Sequence, residues 1–131
     1  MEPSTPTTSP NPRYCIIAFL SKHPSKTLDE FRTYYETHHI PLILRAIRAA
    51  GAPPPLVYTR RYIDSKNPVV TASGEVVGFD CVTELQFASE EEFEENWVKP
   101  LMVGEGKDVV EMDEGRFLDR GRTVAYRFEM C

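Results

Sequence analysis

The chain has 131 residues, of which 41% are apolar, and a formal net charge of −5 at pH 7. This length suits one domain rather than two, and the acidic balance disfavours nucleic acids and anionic membrane surfaces as partners. No apolar run approaches the ~20 residues that a membrane-spanning helix requires. We therefore expect one acidic globular domain.

The N-terminal segment 1–12, MEPSTPTTSPNP, contains four prolines and no large apolar side chain after Met1. Such a segment cannot bury enough apolar surface to offset the entropy lost on ordering, so it is predicted to be a disordered tail. It also lacks the apolar stretch of a secretory signal. The folded domain is expected to span residues 13–131.

The three cysteines, Cys15, Cys81 and Cys131, are widely separated in the sequence and form no CxxC pair. Their spacing does not match a metal site, and an odd number of cysteines is typical of reduced thiols in an intracellular protein. We therefore predict a cytoplasmic protein in which Cys15 and Cys81 are small buried side chains of strands.

A long helix is predicted between residues 28 and 49, where apolar and aromatic side chains recur every three or four positions. Thr27 and Glu30 form a capping box at its start, in which each side chain can bind a backbone N–H of the other residue. Pro41 lies inside the pattern and removes one helical hydrogen bond. It is expected to kink or break the helix near His38.

Strand patterns occur in four further segments, which are apolar and β-branched or alternate between apolar and polar residues. These segments are residues 14–20, 56–64, 76–87 and 122–130. The connection 65–75, with Pro68 and Gly74, predicts a hairpin between the second and third strands. Ser89 is expected to cap a second helix that has glutamates in its first turn. A shorter segment around Gly106 to Met112 predicts a helical turn.

The resulting order, βαββαβ, predicts an α+β, ferredoxin-like fold: a four-stranded antiparallel sheet with both helices on one face. A chain of this size has nothing left to cover the other face of the sheet. A second copy, packed sheet against sheet, would cover it, so we expect a homodimer. RNA-recognition domains share this order, but the segment 76–87 carries acidic residues where they carry basic and base-stacking ones.

Two of the three histidines, His38 and His39, are adjacent in the stretch YYETHHIPL, residues 34–42. Neighbours on a helix point ~100° apart, so both cannot face the same site. Tyr35 and Leu42 each lie three positions from one histidine and four from the other. Periodicity alone therefore does not decide which histidine faces the interior.

No cofactor is predicted. Glu36 and His39 have the spacing used in di-iron carboxylate bundles, but such sites need two of these motifs and two further glutamates. The chain has one motif and a different architecture. It also has neither a glycine-rich phosphate loop nor a dinucleotide-binding fingerprint, and no cysteine in a context that would activate it as a nucleophile.

The aromatic residues Phe31, Tyr34 and Tyr35, followed by the step His39-Ile40-Pro41-Leu42, resemble the helix signature of the EthD-like family. This family belongs to the dimeric α/β-barrel superfamily. The segment DEGRFLDRGRT, residues 113–123, also resembles the family's acidic and aromatic stretch before the last strand. The chain is especially similar to small fungal EthD-like enzymes that accompany aromatic polyketide pathways.

The resemblance implies a cofactor-independent tailoring enzyme acting on an aromatic polyketide. The expected reaction is decarboxylation of an anthrone-type carboxylic acid, with His39 as general acid/base. Oxygenation of an anthrone, or cyclisation, would use the same pocket. A non-catalytic domain that binds hydrophobic small molecules is a third alternative.

The predicted site combines residues of the two resembling segments with Phe79 and Trp97, two aromatic side chains that could line the cavity or belong to the core. The catalytic residues would be His39, Tyr35 and Asp119. Substrate would contact the following residues: Phe31, His38, Leu42, Phe79, Trp97 and Phe117. Structural roles compete with these assignments, since Tyr35 could be a core aromatic and Asp119 could cap the turn at Gly121 or pair with Arg122.

Overall fold

The structure is a computed structural model and describes residues 13–64, 73 and 78–128. The predicted tail 1–12, most of the predicted hairpin connection and Cys131 lie outside the described residues. One antiparallel sheet has the strand order β2-β3-β1-β4. Its strands are β1 (Tyr14–Leu20), β2 (Val57–Tyr62), β3 (Cys81–Phe87) and β4 (Val124–Phe128). The predicted ferredoxin-like α+β architecture is confirmed.

The first helical region is continuous from α1 (Leu28–Tyr34) through a π-helical turn (Tyr35–His39) to α2 (Ile40–Ala49); we call it the histidine helix. The predicted capping box of Thr27 and Glu30 is present. Gly51, with a φ of 77°, ends the helix in the left-handed region that glycine tolerates best. The helix does not break at Pro41; the turn before the proline is widened instead.

The second helical region repeats this arrangement. Ser89 accepts a hydrogen bond from the backbone N–H of Glu92 at the start of α3 (Glu90–Phe93). A second π-helical turn (Glu94–Val98) leads to the short α4 (Lys99–Leu101). We call residues 90–101 the tryptophan helix, after Trp97.

A further helix, α5 (Gly104–Phe117), is longer than the helical turn predicted around Gly106 to Met112. Its buried residues Val110, Asp113 and Phe117 recur at spacings of three and four, but glycines and charged residues around them obscure the pattern. Gly106 lets α5 approach the end of the tryptophan helix, because a Cβ there would lie 2.0 Å from the backbone oxygen of Pro100. This contact fixes α5 against the other helices.

The two faces of the sheet differ. The helices pack on the face that carries Tyr14, Ile16, Leu20 and Leu85, which belong to two buried clusters. On the opposite face, the ring of Phe19 contacts the rings of Phe79 and Tyr126. On the same face, β4 carries three large apolar side chains that are exposed: Val124, Tyr126 and Phe128. This apolar face has no cover within the described part of the chain.

The two described cysteines differ from one another. Cys81 is buried with a free thiol, as predicted, and burial raises the pKa of its thiol to about 11. Cys15 is fully buried as well, but it is disulfide-bonded. The prediction of reduced thiols is therefore wrong for Cys15.

Candidate active site

Each π-helical turn is caused by a proline that lies two residues after it in the chain. A proline ring clashes with the carbonyl group four residues earlier, which is that of Thr37 for Pro41. The turn that contains this carbonyl is widened, and the backbone N–H of Ile40 bonds to the oxygen of Tyr35, five residues back. Tyr35 and His39 both face the interior as a result, with 3% and 6% of their surfaces exposed.

His39 is held by a carboxylate from α5. Its Nδ1 lies 2.8 Å from Oδ2 of Asp113, and the hydroxyl of Tyr34 donates to Oδ1 of the same carboxylate at 2.6 Å. An ionised carboxylate only accepts hydrogen bonds, so Nδ1 carries the hydrogen. The opposite ring nitrogen, Nε2, is then the one left for chemistry. Tyr34, Asp113 and His39 together form what we call the histidine relay.

Burial lowers the pKa of His39, and the hydrogen bond and charge of Asp113 oppose this by raising it. The net direction is downward, so the imidazole is neutral near pH 7. The ring of Phe117 lies 4.8 Å from the imidazole, centre to centre, and limits its rotation. His39 is thus an oriented, neutral base with one available nitrogen.

His39 lines a cavity of about 400 Å³ between the helices and the sheet. The walls are mostly apolar and come from β1, β3, β4, α5 and both long helices; examples are Ala18, Ile43, Leu85, Trp97, Val110 and Ala125. The β4 side is exposed in the single chain. The cavity combines an imidazole with walls that suit an apolar ligand.

Two charged side chains also line the cavity, Glu114 and Arg127. Burial raises the pKa of Glu114, while Arg120, whose Nε lies 3.3 Å from the carboxylate, lowers it. Sequence analysis selected neither residue for the site. Nothing in the local sequence distinguishes them from other surface charges, because their place at the cavity follows from the sheet register and the docking of α5.

Several predicted site residues lie around His39 without all reaching the cavity. Tyr35 packs beside the imidazole, but its hydroxyl bonds to Thr83 at 2.6 Å, and burial raises its pKa well above the usual value. Phe31 and Phe117 are fully buried and stack on each other. Trp97 lies in the cavity wall.

The other predicted site residues lie outside the cavity wall. His38 is exposed and stacks on Tyr34, Leu42 packs at the outer side of α5, and Phe79 contacts Phe19 on the opposite face of the sheet. Asp119 lies in the turn before β4, where its backbone carbonyl accepts from the N–H of Arg122. The acid that orients His39 is Asp113, not Asp119.

The described residues contain no group of three or more histidine, cysteine, aspartate or glutamate side chains arranged to hold a metal ion. In the same ranges, none of the helices has both the length and the apolar character needed to cross a bilayer. A neutral imidazole held beside an apolar cavity can exchange a proton with a bound ligand.

The family profile described as the EthD domain matches residues 23–121. This match covers most of the chain, including His38, His39 and the other two members of the histidine relay. The chain therefore belongs to the EthD domain family. No curated protein matches it in sequence.

Solved structures agree on the fold. An ethyl tert-butyl ether D (EthD) family protein from Bacillus halodurans C-125 is similar with a TM-score of 0.58 at 20% identity, over 91% of this chain and 99% of that one. An EthD-like protein from Ralstonia eutropha JMP134 gives 0.57 at 15% identity, over 90% and 91%. A dimeric protein of unknown function from Bacteroides fragilis NCTC 9343, with a ferredoxin-like fold, gives 0.52 at 8% identity, over 90% and 96%.

Proposed function

We propose that this EthD domain is a cofactor-independent lyase that decarboxylates an anthrone-type carboxylic acid, an aromatic polyketide, with His39 as general acid/base. One observation carries the proposal: Asp113 holds the His39 imidazole at the wall of an apolar cavity of about 400 Å³, with Nε2 free of the carboxylate. Protein pockets for small ligands are typically about 300–1,000 Å³. The volume therefore suits a compact polycyclic ligand.

The protonation state of His39 in the free protein is the starting point of the reaction. His39 is neutral because burial lowers its pKa. A substrate carboxylate placed beside Nε2 raises that pKa, since an opposite charge stabilises the imidazolium. Substrate and one proton therefore enter the site together, and Asp113 stabilises the imidazolium from behind through Nδ1–H.

The chemical step then balances without a cofactor. The bond between the ring carbon and the carboxylate breaks, CO₂ leaves, and the electron pair is delocalised onto the neighbouring carbonyl oxygen as an enolate. The apolar walls disfavour the localised carboxylate charge more than the delocalised enolate. His39 Nε2–H protonates the carbanion carbon and returns to the neutral imidazole, so each turnover consumes one proton and releases one CO₂.

We also propose a homodimer formed through the exposed sheet face that includes Val124, Tyr126 and Phe128. Sheet-on-sheet pairing would bury this apolar patch, and the similar protein from Bacteroides fragilis is described as dimeric. Gel filtration with light scattering tests the assembly. Replacing Tyr126 by Glu should convert the dimer to a monomer, because it places a charge in the apolar interface.

A second function is favoured by the neutral state of His39 itself. A neutral Nε2 can remove a proton from the acidic carbon of an anthrone, and the resulting anion can react with O₂ to give a quinone and water. This cofactor-free oxygenation uses the same cavity and the same nitrogen. It differs in that His39 begins as a base rather than as an acid.

The products separate the two reactions. The purified protein is incubated with a hydroxyanthrone carboxylic acid and with the same anthrone lacking the carboxyl group, while CO₂ release and O₂ uptake are recorded. We expect the wild type to release CO₂ from the acid. The rate should fall about 10²-fold or more in His39→Gln. It should be retained in the matched variant His38→Gln, because the imidazole of His38 is exposed. Saturable binding of both compounds without either gas exchange would instead indicate a non-catalytic binding domain.

The pH dependence of kcat/KM tests independently whether His39 acts as an acid or as a base. If His39 acts as an acid, kcat/KM falls as pH rises through the lowered pKa of the free protein, because the imidazolium disappears. If it acts as a base, kcat/KM rises through that same pKa. The direction of this change rejects one of the two reactions.

A further inference from the structure

Arg127 is a charged residue of the cavity wall that the proposed chemistry does not use. It lies on the edge strand β4, opposite Ile16 of β1. Its guanidinium lies 5.2 Å from the centre of the Phe93 ring, and its Nη1 donates to the hydroxyl of Tyr14 at 3.3 Å. These contacts steer a long side chain, 55% exposed, along the wall of the cavity.

The guanidinium makes two long ion pairs, with Glu94 and Glu90, both through Nη1. The nearest carboxylates, those of Glu94 and Glu90, lie 3.6 and 3.8 Å from Nη1, beyond ordinary hydrogen-bonding distance. Both glutamates are at the exposed start of the tryptophan helix. A guanidinium presents five N–H groups in a planar fork that matches two oxygens of a carboxylate. Arg127 can therefore donate hydrogen bonds to an oxyanion without breaking a short ion pair.

The cavity has two chemically different ends. Thr123, whose Oγ1 accepts from the backbone N–H of Ser21, lies four residues before Arg127, which corresponds to ~13 Å along an extended strand. His39 contacts Phe117, whose buried cluster includes Leu20 and Leu118 near that end. Arg127 contacts Tyr14 and Phe93, which belong to a different cluster. His39 thus lies against one buried cluster and Arg127 against another, while both line the same apolar cavity.

We propose that Arg127 binds an oxyanion, a carboxylate or ionised phenol, at the end of the substrate remote from the carbon that reacts at His39. This inference rests on the proposed function, which supplies the aromatic acid. It narrows the substrate class to elongated ring systems that carry acidic oxygens at both ends. Arg127 would set affinity and orientation, while proton transfer stays with the histidine relay.

Trp97 makes the inference directly testable, because it is the single tryptophan of the chain and lies in the cavity wall. The probes are anthraquinone-2-carboxylate and the neutral 2-(hydroxymethyl)anthraquinone, which have nearly the same shape. Quenching of Trp97 fluorescence gives the dissociation constant of each probe without any turnover. The proteins are the wild type, Arg127→Gln and the matched variant Arg48→Gln, in which an exposed arginine of the histidine helix is changed.

We expect Arg127→Gln to raise the dissociation constant of the carboxylate probe about tenfold, the usual scale for losing a charge-assisted hydrogen bond. The neutral probe should change less than about twofold, and Arg48→Gln should change neither. Equal losses for both probes, or no loss for either, would overturn the role of Arg127 while leaving the His39 chemistry intact. If the wild type binds neither probe, the aromatic cavity and this inference fail together.

Discussion

The histidine helix and the tryptophan helix use the same local geometry. Each contains a five-residue π-helical turn that ends two residues before a proline. The sequences at these points are HHIPL, residues 38–42, and WVKPL, residues 97–101. In both, the proline lies in the first turn of the next helical segment, where its missing N–H costs least. The widened turn thus follows from the proline and is part of the scaffold.

The side chains at equivalent positions differ. The residue two before the proline is His39 in one helix and Val98 in the other, and the residue before the π-turn is Tyr34 in one and Phe93 in the other. Tyr34 and His39 are joined by Asp113, whereas Phe93 and Val98 pack in an apolar cluster. The comparison separates the hydrogen-bonded histidine, which only one of the two helices carries, from a backbone geometry that both share.

Alanine at the two equivalent positions should give opposite phenotypes, and this is the largest effect that we expect. His39→Ala should lower turnover about 10²- to 10⁴-fold, because the proton donor is lost. Val98→Ala should keep turnover within about threefold but destabilise the fold by about 1 kcal/mol, because methyl groups leave an apolar contact.

Turnover and thermal unfolding of the two variants are measured on the same preparations. A large loss of turnover in both variants would mean that activity follows the shared geometry rather than the imidazole. Unchanged turnover in His39→Ala would reject the assignment of the acid/base group.

Asp113→Asn should have the next largest effect on turnover. It removes the carboxylate of α5 that bonds to His39, a partner that Val98 of the tryptophan helix does not have. An amide orients the imidazole less well, so turnover should fall about 10- to 100-fold. Asp113 raises the pKa of His39 against the effect of burial, so its removal lowers that pKa further. If His39 acts as an acid, the alkaline fall of kcat/KM therefore moves to lower pH.

Asp108→Asn is the control, since this aspartate is exposed on the same helix. It should leave both turnover and the pH profile unchanged. A fall of kcat/KM that stays at the same pH in Asp113→Asn would show that the titrating group is not His39.

How far the sequence predicted the molecule depends on whether a feature is local. The capping box at Thr27 and the cap at Ser89 follow from short patterns and are confirmed. All four predicted strands are present, but the third begins at Cys81 rather than at residue 76, and the fourth at Val124 rather than at residue 122. Pro41 indicated a distortion of the helix, but not its form, because a proline clash can be relieved by a kink or by a widened turn. The helix itself is continuous from 28 to 49.

The site was less accessible to sequence reasoning because it joins distant segments. Asp113 and His39 are 74 residues apart in the chain, and only the docking of α5 brings them together. The predicted site includes Asp119 of the segment 113–123 rather than Asp113, because a helical turn confined to Gly106 to Met112 gives no reason for Asp113 to face inward. The spacing of Val110, Asp113 and Phe117 was the available signal that Asp113 faces inward.

Tyr34→Phe makes the histidine helix resemble the tryptophan helix at the position before the π-turn, and its effect should be smaller. The change removes the hydroxyl that donates to Asp113 at 2.6 Å and keeps the ring that stacks on His38 and Phe117. Loss of one such hydrogen bond should lower turnover about three- to tenfold.

The Michaelis constant should barely change, because Tyr34 does not line the cavity. The reciprocal variant Phe93→Tyr adds a hydroxyl at the equivalent position and should not raise turnover. If Tyr34→Phe alters the Michaelis constant but not kcat, the residue acts on binding rather than through Asp113.

The smallest effect should come from the prolines themselves. Alanine at position 41 restores a backbone N–H and removes the ring clash, so a regular α-helical register can compete with the π-turn. That register rotates His39 away from Asp113 in part of the population, and turnover should fall about threefold, corresponding to about 0.7 kcal/mol. Pro100→Ala permits the same change in the tryptophan helix, where Val98 has no proton to transfer, so turnover there should stay constant. Steady-state turnover of both variants is measured at a temperature where both are fully folded. An equal loss in both would mean that the two turns affect turnover through the shape of the cavity. The orientation of the His39 imidazole would then not be the cause.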